Sequence, residues 1–399
     1  MTSSELEVRI SAIVTQPVEW SYRKVLRNRR LATLLGGRLV SSLGDGMLIS
    51  ALPLLTLQVR GQANPAVAIA LVEAAPYAVA LVLSAAIGVG RISLPVRSLL
   101  IVDCVLRAAL FGMLAVLAFT GTLSLWALIV SLLLGSVVRL AAASGARVVA
   151  TGMVAPAGRF AVNGLLGTGT NLATLVLGPV LGGLLATLGA PGLPLAIDAV
   201  SFGALLIVVL YVVPRRRVAA DDRIVSVSGA RVIRGSGILT RLVLVVFLFN
   251  LLYMPVEVAL PLLVRGPLHG SGAALGAIWT AFGIGALLGS MATGYLRRLP
   301  RQAAVLGIIA AWASVVALLA LVPSTIFAIA VFALGGVVYA PFTPIVYTVV
   351  QSLVRPDEQH PVLTLWRAST AVSAPVGLSL SGPMLGALGA RTGLLISAA

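Results

Sequence analysis

The sequence predicts an all-α integral membrane protein assembled from two related six-helix halves. Three observations carry this. Hydrophobic residues make up 59% of the 399-residue chain and charged residues only 10%, whereas soluble domains run near half apolar and a quarter charged. The chain also repeats itself. Gly178-Pro179-Val180-Leu181-Gly182-Gly183 is echoed by Gly382-Pro383-Met384-Leu385-Gly386, and Ala51-Leu52-Pro53-Leu54-Leu55 by Ala259-Leu260-Pro261-Leu262-Leu263. Val154, Pro156 and Val162 return as Val354, Pro356 and Val362, and every lag lies between 200 and 208 residues. A fixed lag of half the chain marks an internally duplicated membrane protein. Lastly, about 23 of the 28 basic residues fall in the amino terminus and every second loop, leaving Arg60, Arg265 and Arg391 for the opposite loops. That alternation is the positive-inside pattern and puts the amino terminus in the cytoplasm.

Residues 1–30 form a charged, largely polar stretch and read as a cytoplasmic segment. Arg23, Lys24, Arg27, Arg29 and Arg30 near Trp20 and Tyr22 suit a surface helix or, more simply, a topological anchor. No apolar h-region precedes them, so the reading holds no cleavable signal peptide. A helix needs about 20 apolar residues to cross a bilayer. Such runs occur at 31–58, 66–89, 98–119, 122–144, 162–188 and 193–213, making a first bundle over 31–213. The polar stretch 214–240, with Arg215, Arg216, Arg217, Asp221, Asp222, Arg223, Arg231 and Arg234, reads as a cytoplasmic linker. The second bundle, 241–399, gives runs at 241–264, 272–295, 302–322, 325–350 and 361–386. A last segment follows from about 391; the nine residues after Ala390 are too few to span, so the expectation is eleven full helices and a short or truncated twelfth. Helices are required because only they satisfy every backbone group within one segment in lipid, and the alternating pattern of barrel strands is absent.

Composition narrows function by exclusion. The formal charge of +16 sits in loops, where it reports topology and anionic lipid headgroups as partners rather than nucleic acid. Cys104 is the single cysteine, and His269 and His360 stand alone, which leaves no thiol cluster, no disulfide and no metal-ligand spacing. No Walker sequence, nucleophile elbow or paired catalytic acids appear, so neither enzyme chemistry nor a cofactor is expected. The use of 27 arginines to one lysine is associated with GC-rich bacterial genomes, and the expected location is a bacterial cytoplasmic membrane.

Two six-helix halves, a long basic central loop and positive cytoplasmic turns resemble the major facilitator superfamily. Leu43-Gly44-Asp45, Asp103 with Leu106-Arg107-Ala108, Ala146-Arg147, and Ile197-Asp198-Ala199-Val200-Ser201-Phe202 resemble its enterobactin-exporter and macrolide-efflux group. Gly178-Pro179-x-x-Gly182-Gly183 is similar to the helix 5 motif of the superfamily's exporters, although the upstream Gly164, Gly167 and Gly169 depart from its spacing. Small residues there let backbones approach, and proline permits a bend. The signature between helices 2 and 3 is degraded: in Gly88-Val89-Gly90-Arg91-Ile92-Ser93-Leu94-Pro95-Val96-Arg97 an arginine, Arg91, stands where the family has aspartate. Its counterpart, Gly294 to Arg301, also lacks an acid.

The resemblance implies a proton-driven exporter of a small, partly apolar compound, working as a monomer by alternating access. An importer in the same fold and a non-transporting sensor or partner subunit stay open. Ionisable groups at bilayer depth cost roughly 2.5–3.5 kcal/mol on insertion scales, so each intramembrane acid needs a partner or a role. Asp45 is the first candidate for proton coupling, with Arg38 seven residues earlier on its helix and Arg139 in helix 4. A carboxylate that meets arginines in one state and an apolar wall in another changes its proton affinity between them. Glu257, between Pro255 and Pro261, and Glu73 are further candidates for protons or a cationic substrate. Asn250 is a candidate for substrate hydrogen bonding, and Tyr339, Phe342 and Tyr347 of helix 10 for apolar contacts; Trp279, Phe282, Trp312 and Trp366 read more readily as packing. Asp103 and Arg107, four apart on one face, are expected to form a structural ion pair, and Asp198, opening helix 6 near the outer surface, to cap it or hydrogen-bond a neighbour.

Overall fold

The computed structural model describes residues 22–88, 95–155, 158–190, 192–213, 229–296, 300–355 and 358–399. All regular structure among them is helical. The spans are α1 (Arg29–Val59), α2 (Pro65–Gly88), α3 (Val96–Phe119), α4 in two pieces (Leu125–Gly135 and Arg139–Gly152), α5 (Arg159–Thr187) and α6 (Leu193–Val212). The second half gives α7 (Gly237–Arg265), α8 (Gly272–Leu296), α9 (Arg301–Leu321), α10 (Thr325–Leu353), α11 (Gln359–Leu388) and the short α12 (Ala390–Ala398). Among the described residues nine helices are long and apolar enough to cross a membrane.

Local chemistry sets the ends. The Asn28 side chain accepts from the Leu31 N–H at 3.3 Å and starts α1. Ser124 does the same for Ala127 at 3.2 Å in α4. Ser236 receives the Leu239 N–H at 3.4 Å, which starts α7 at Gly237 rather than at the expected 241. These side-chain acceptors satisfy amides that have no intrahelical partner. Part of the expected linker is ordered as well: Gly229–Gly235 is a helix packed against α11, with Ile233 buried.

The duplication is visible in structure. Pro95 and Pro300, at closely similar backbone angles, open α3 and α9. Both fourth helices of the halves break in mid-span. In α4 the break is the turn at Ser136, whose hydroxyl donates to the Leu133 carbonyl at 2.8 Å and competes with the backbone. In α10 it falls at Ala340 and Pro341, where the proline has no N–H to continue the ladder. Gly189 and Gly389, 200 residues apart, leave α5 and α11 with φ of +74° and +80°, a conformation that favours glycine.

Each half has its own core. One cluster runs from Val25 to Val213 through Leu31, Ile129, Phe202 and Leu205. The other runs from Ile233 to Leu394 and takes in Leu54, Ala66, Ile69 and Ala70 from α1 and α2. Large apolar side chains such as Val116, Ile207, Met291 and Ile326 point outward, as a lipid-facing surface requires. Trp126 and Tyr211 project near helix ends, where an aromatic belt lies.

The halves meet along two glycine seams, α5 on α8 and α2 on α11. A Cβ on Gly183 would run into the Gly272 carbonyl and lie 3.0 Å from the Gly276 Cα. In the matching seam a Cβ on Gly382 would lie 3.1 Å from the Val67 Cα. Hydrogen bonds reinforce the first seam. The Thr280 hydroxyl donates to the Val176 carbonyl at 2.8 Å, and the Thr187 hydroxyl accepts the Ala273 N–H at 2.9 Å. The two copies of the Gly-Pro echo therefore occupy equivalent interfaces, both at the end of the bundle that carries the loops after α1, α5 and α11. At the opposite, basic-loop end, Arg355 donates to Glu358 at 2.7 Å ahead of α11 and holds that carboxyl below its usual range.

Candidate functional site

A cavity of about 290 Å³ lies between the halves, walled by α1, α2, α3, α4, α5, α7 and α8. A second, of about 270 Å³, lies within the first half toward the basic-loop end. Asp45, Arg107, Arg139 and Thr174 line both. Arg107 donates to the Asp45 carboxylate, so a side-chain ion pair stands as the partition between the chambers. The inner chamber holds Glu73 and Tyr77 of α2, Tyr253 and Glu257 of α7, and Trp279 and Phe282 of α8. The vestibule below it holds Arg38, Arg139 and Arg147 against one further acid, Asp103. Acid dominates one side of the partition and base the other.

The expected Asp103–Arg107 pair is not what forms. Arg107 reaches across to α1, and the Asp103 Oδ1 is buried with no hydrogen-bond partner. The reason is the setting of the guanidinium, which lies 3.9 Å above the Phe202 ring and 5.5 Å from that of Phe111. Sandwiched there, it gains cation–π attraction worth roughly 2 kcal/mol when desolvated, and its donors face Asp45. Asp198 accepts the Ser201 hydroxyl at 3.1 Å, the second of the two roles open to it, rather than capping the helix. It is fully buried, and a Cβ on Gly44 would collide with its Oδ1. Leu43-Gly44-Asp45, Leu106-Arg107-Ala108 and Ile197 to Phe202 thus converge on one buried node.

Of the residues expected to couple protons, Asp45, Glu73, Glu257 and Arg139 line the inner chamber and Arg38 the vestibule. The carboxyl groups of Glu73 and Glu257 come from opposite halves, and the charge of Glu257 acts on Glu73. Two carboxylates so placed repel when both are ionised, and a proton or an organic cation between them relieves the repulsion. Glu73→Gln and Glu257→Gln are each expected to weaken binding of a cationic ligand about tenfold, read by titration calorimetry, with neutral ligands little changed.

The expected substrate contacts do not line the chamber. The Asn250 amide turns back to its own helix and donates to the Val246 carbonyl at 2.8 Å, as a polar group among apolar neighbours must. Phe342 stacks on Phe249 with centroids 4.2 Å apart, and Tyr347 packs edge-on against Trp366 at 4.6 Å. Tyr339 stands behind Tyr253, at 5.2 Å. These rings are the second half's core. Tyr253, Trp279 and Phe282 present the aromatic wall instead, with Tyr77 opposite.

The Gly178 motif braces this site. A Cβ on Gly178 would strike the backbone of Gly46, and one on Gly182 that of Met47, while Pro179 directs its carbonyl to the Ser50 hydroxyl at 2.8 Å and against Gly276. Just before it, Leu172–Leu177 is a π-helix, a local widening common at functional sites. Gly46 follows Asp45 directly, so a shift of α5 on α1 bears on the partition. Most of the degraded signature, 89–94 and 297–299, lies outside the described residues; Arg97 donates to the Leu210 carbonyl at 3.3 Å.

Residues 25–398 match the family described as transmembrane secretion effector. Among solved structures, the nucleoside transporter NupG superposes with a TM-score of 0.75 at 14% identity, covering 92% of this chain and 95% of that one. A bacterial homologue of the iron transporter ferroportin in an inward-facing state gives 0.71 at 15% identity, covering 93% and 97%. A bacterial homologue of the human lysosomal transporter Spinster, inward-facing and unoccupied, gives 0.68 at 14%, covering 93% and 83%. At these identities the likeness shows the fold alone. No curated protein sequence matches. With a family match over nearly its whole length and a duplicated helical fold around a central cavity, the chain belongs to the transmembrane secretion effector group of the major facilitator superfamily and is a multi-pass membrane transporter.

Proposed function

We propose that the protein is a proton-coupled exporter of small, partly hydrophobic organic compounds such as drugs, secondary metabolites or siderophores. It works by alternating access as a monomer in a bacterial cytoplasmic membrane, with its amino terminus and basic loops on the cytoplasmic side against anionic headgroups. The observation that carries the reading is the Asp45–Arg107 pair standing between an acidic, aromatic chamber and a basic vestibule. Protonation of Asp45 releases Arg107, and the field felt by anything in the chamber changes. One proton moving down 100 mV supplies roughly 2.3 kcal/mol. With the basic loops cytoplasmic, the glycine seams lie on the external side, so this conformation admits substrate from inside. The aromatic wall takes the apolar part of the substrate, and Glu73 and Glu257 take a cationic centre or protons. Export as the direction draws on the Gly178-Pro179-x-x-Gly182-Gly183 motif, seated where α5 meets both α1 and α8.

A growth assay against a panel of toxic compounds tests this. Cells carrying the parent gain tolerance to at least one cationic compound, and those carrying Asp45→Asn or Glu257→Gln lose it at equal protein levels. Variants that protect as well as the parent overturn the assignment of these two residues.

A further inference from the structure

The node around Arg107 holds more acid than one arginine can answer. Asp198 is fully buried; its Oδ1 receives the Ser201 hydroxyl at 3.1 Å, and its Oδ2 is buried with no hydrogen-bond partner. An ionised carboxylate has lone pairs at both oxygens and tolerates such a place only if paired. The adjacent cation is already engaged by Asp45. Asp198 faces that cation: it lies one helical turn from Phe202, whose ring carries the Arg107 guanidinium, and its Oδ1 abuts Gly44, the residue before Asp45.

We propose that Asp198 is a proton-binding site, an acid held neutral while Arg107 is on Asp45, and that it exchanges its proton with Asp45 as Arg107 passes from one to the other. The charged groups that act on it are Asp45 from α1, Arg107 from α3 and Arg139 from α4, and Arg38 and Asp103 line the vestibule beside Asp45 and Arg107. The step balances within the cluster. The O–H bond of Asp198 breaks, one forms on Asp45, and the guanidinium moves to the new carboxylate with no change in total charge. Burial divides the roles. Asp45 keeps 26% of its side chain exposed and meets the chambers, whereas Asp198 is sealed and acts as the internal store. Gly44 is a positioning residue, since any side chain there displaces the Asp198 carboxyl.

The role in coupling rests on the proton-coupled reading, but protonation is read without transport and stands or falls separately. Infrared difference spectra are recorded at neutral pH on protein in a detergent free of ester carbonyls. The parent shows a neutral-carboxyl C=O band that disappears in Asp198→Asn and in Asp45→Asn, where Arg107 moves to Asp198 and ionises it, but survives in Asp103→Asn. Because an amide has the shape of a neutral acid, Asp198→Asn melts at the parent's temperature. A spectrum unchanged by Asp198→Asn, or failure of that variant to fold, overturns the proton site; a band that persists in Asp45→Asn overturns the exchange.

Discussion

Arg107→Gln is expected to lower the stability of the protein by about 3 kcal/mol and to abolish transport, because it leaves the Asp45 carboxylate at the partition without its cation. Asp45→Asn should cost less, because the arginine, only 7% exposed, turns to the neighbouring Asp198 carboxyl instead of standing unpaired. The double variant Asp45→Asn/Arg107→Gln removes both charges and should recover most of the loss, as replacing a whole buried pair is far less costly than breaking it. Transport should not recover. Thermal melts of the four proteins form a double-mutant cycle, and an interaction energy near zero would show that the two side chains do not act as a pair.

The glycine seams give the second large effect, and they separate two kinds of failure. Gly182→Val drives a side chain into the Met47 backbone inside the first bundle; overpacking there should cost about 3 kcal/mol and lower the melting temperature. Gly183→Val meets Gly272 and Gly276 of the other half instead. It should leave the bundle stable but prevent this seam from closing, shifting the population toward the alternate conformation. Cysteines at Ala186 and Ala273 flanking the seam should cross-link readily in the parent and poorly in Gly183→Val. Equal cross-linking would contradict the seam as a moving contact.

The fold was legible because it is written redundantly. Apolar length places the helices, arginine placement orders the loops, and the lag near 200 residues joins Gly178-Pro179 to Gly382-Pro383, which the structure seats in matching interfaces. Helix ends were less legible where a single side chain decides them, as at Ser236, or where a turn interrupts an apolar run, as at Ser136. Within the site, acids at bilayer depth were visible because burial in lipid makes any charge conspicuous; Asp45, Glu73 and Glu257 are found on one chamber. Partnership was not visible. The spacing of Asp103 and Arg107 suggests a pair along one helix, but the choice is made across helices by Phe202 and Asp45. The aromatic contacts misled for a related reason: helix 10 is rich in rings, and only packing tells that Phe342 and Tyr347 face their own core while Tyr253 of α7 reaches the cavity. The usable signal was the joint occurrence of the fragments around Asp45, Arg107 and Asp198, which meet at one point.

The central claim, that the Asp45–Arg107 partition couples proton movement to substrate movement, is tested most directly by flux into proteoliposomes. The substrate is a compound to which the protein gives tolerance, and a pH gradient is imposed in each direction. The parent should drive uphill movement that reverses with the gradient and stops when a protonophore collapses it, whereas Asp45→Asn should equilibrate substrate without concentrating it. Uphill flux that ignores the gradient, or that persists in Asp45→Asn, would contradict the account.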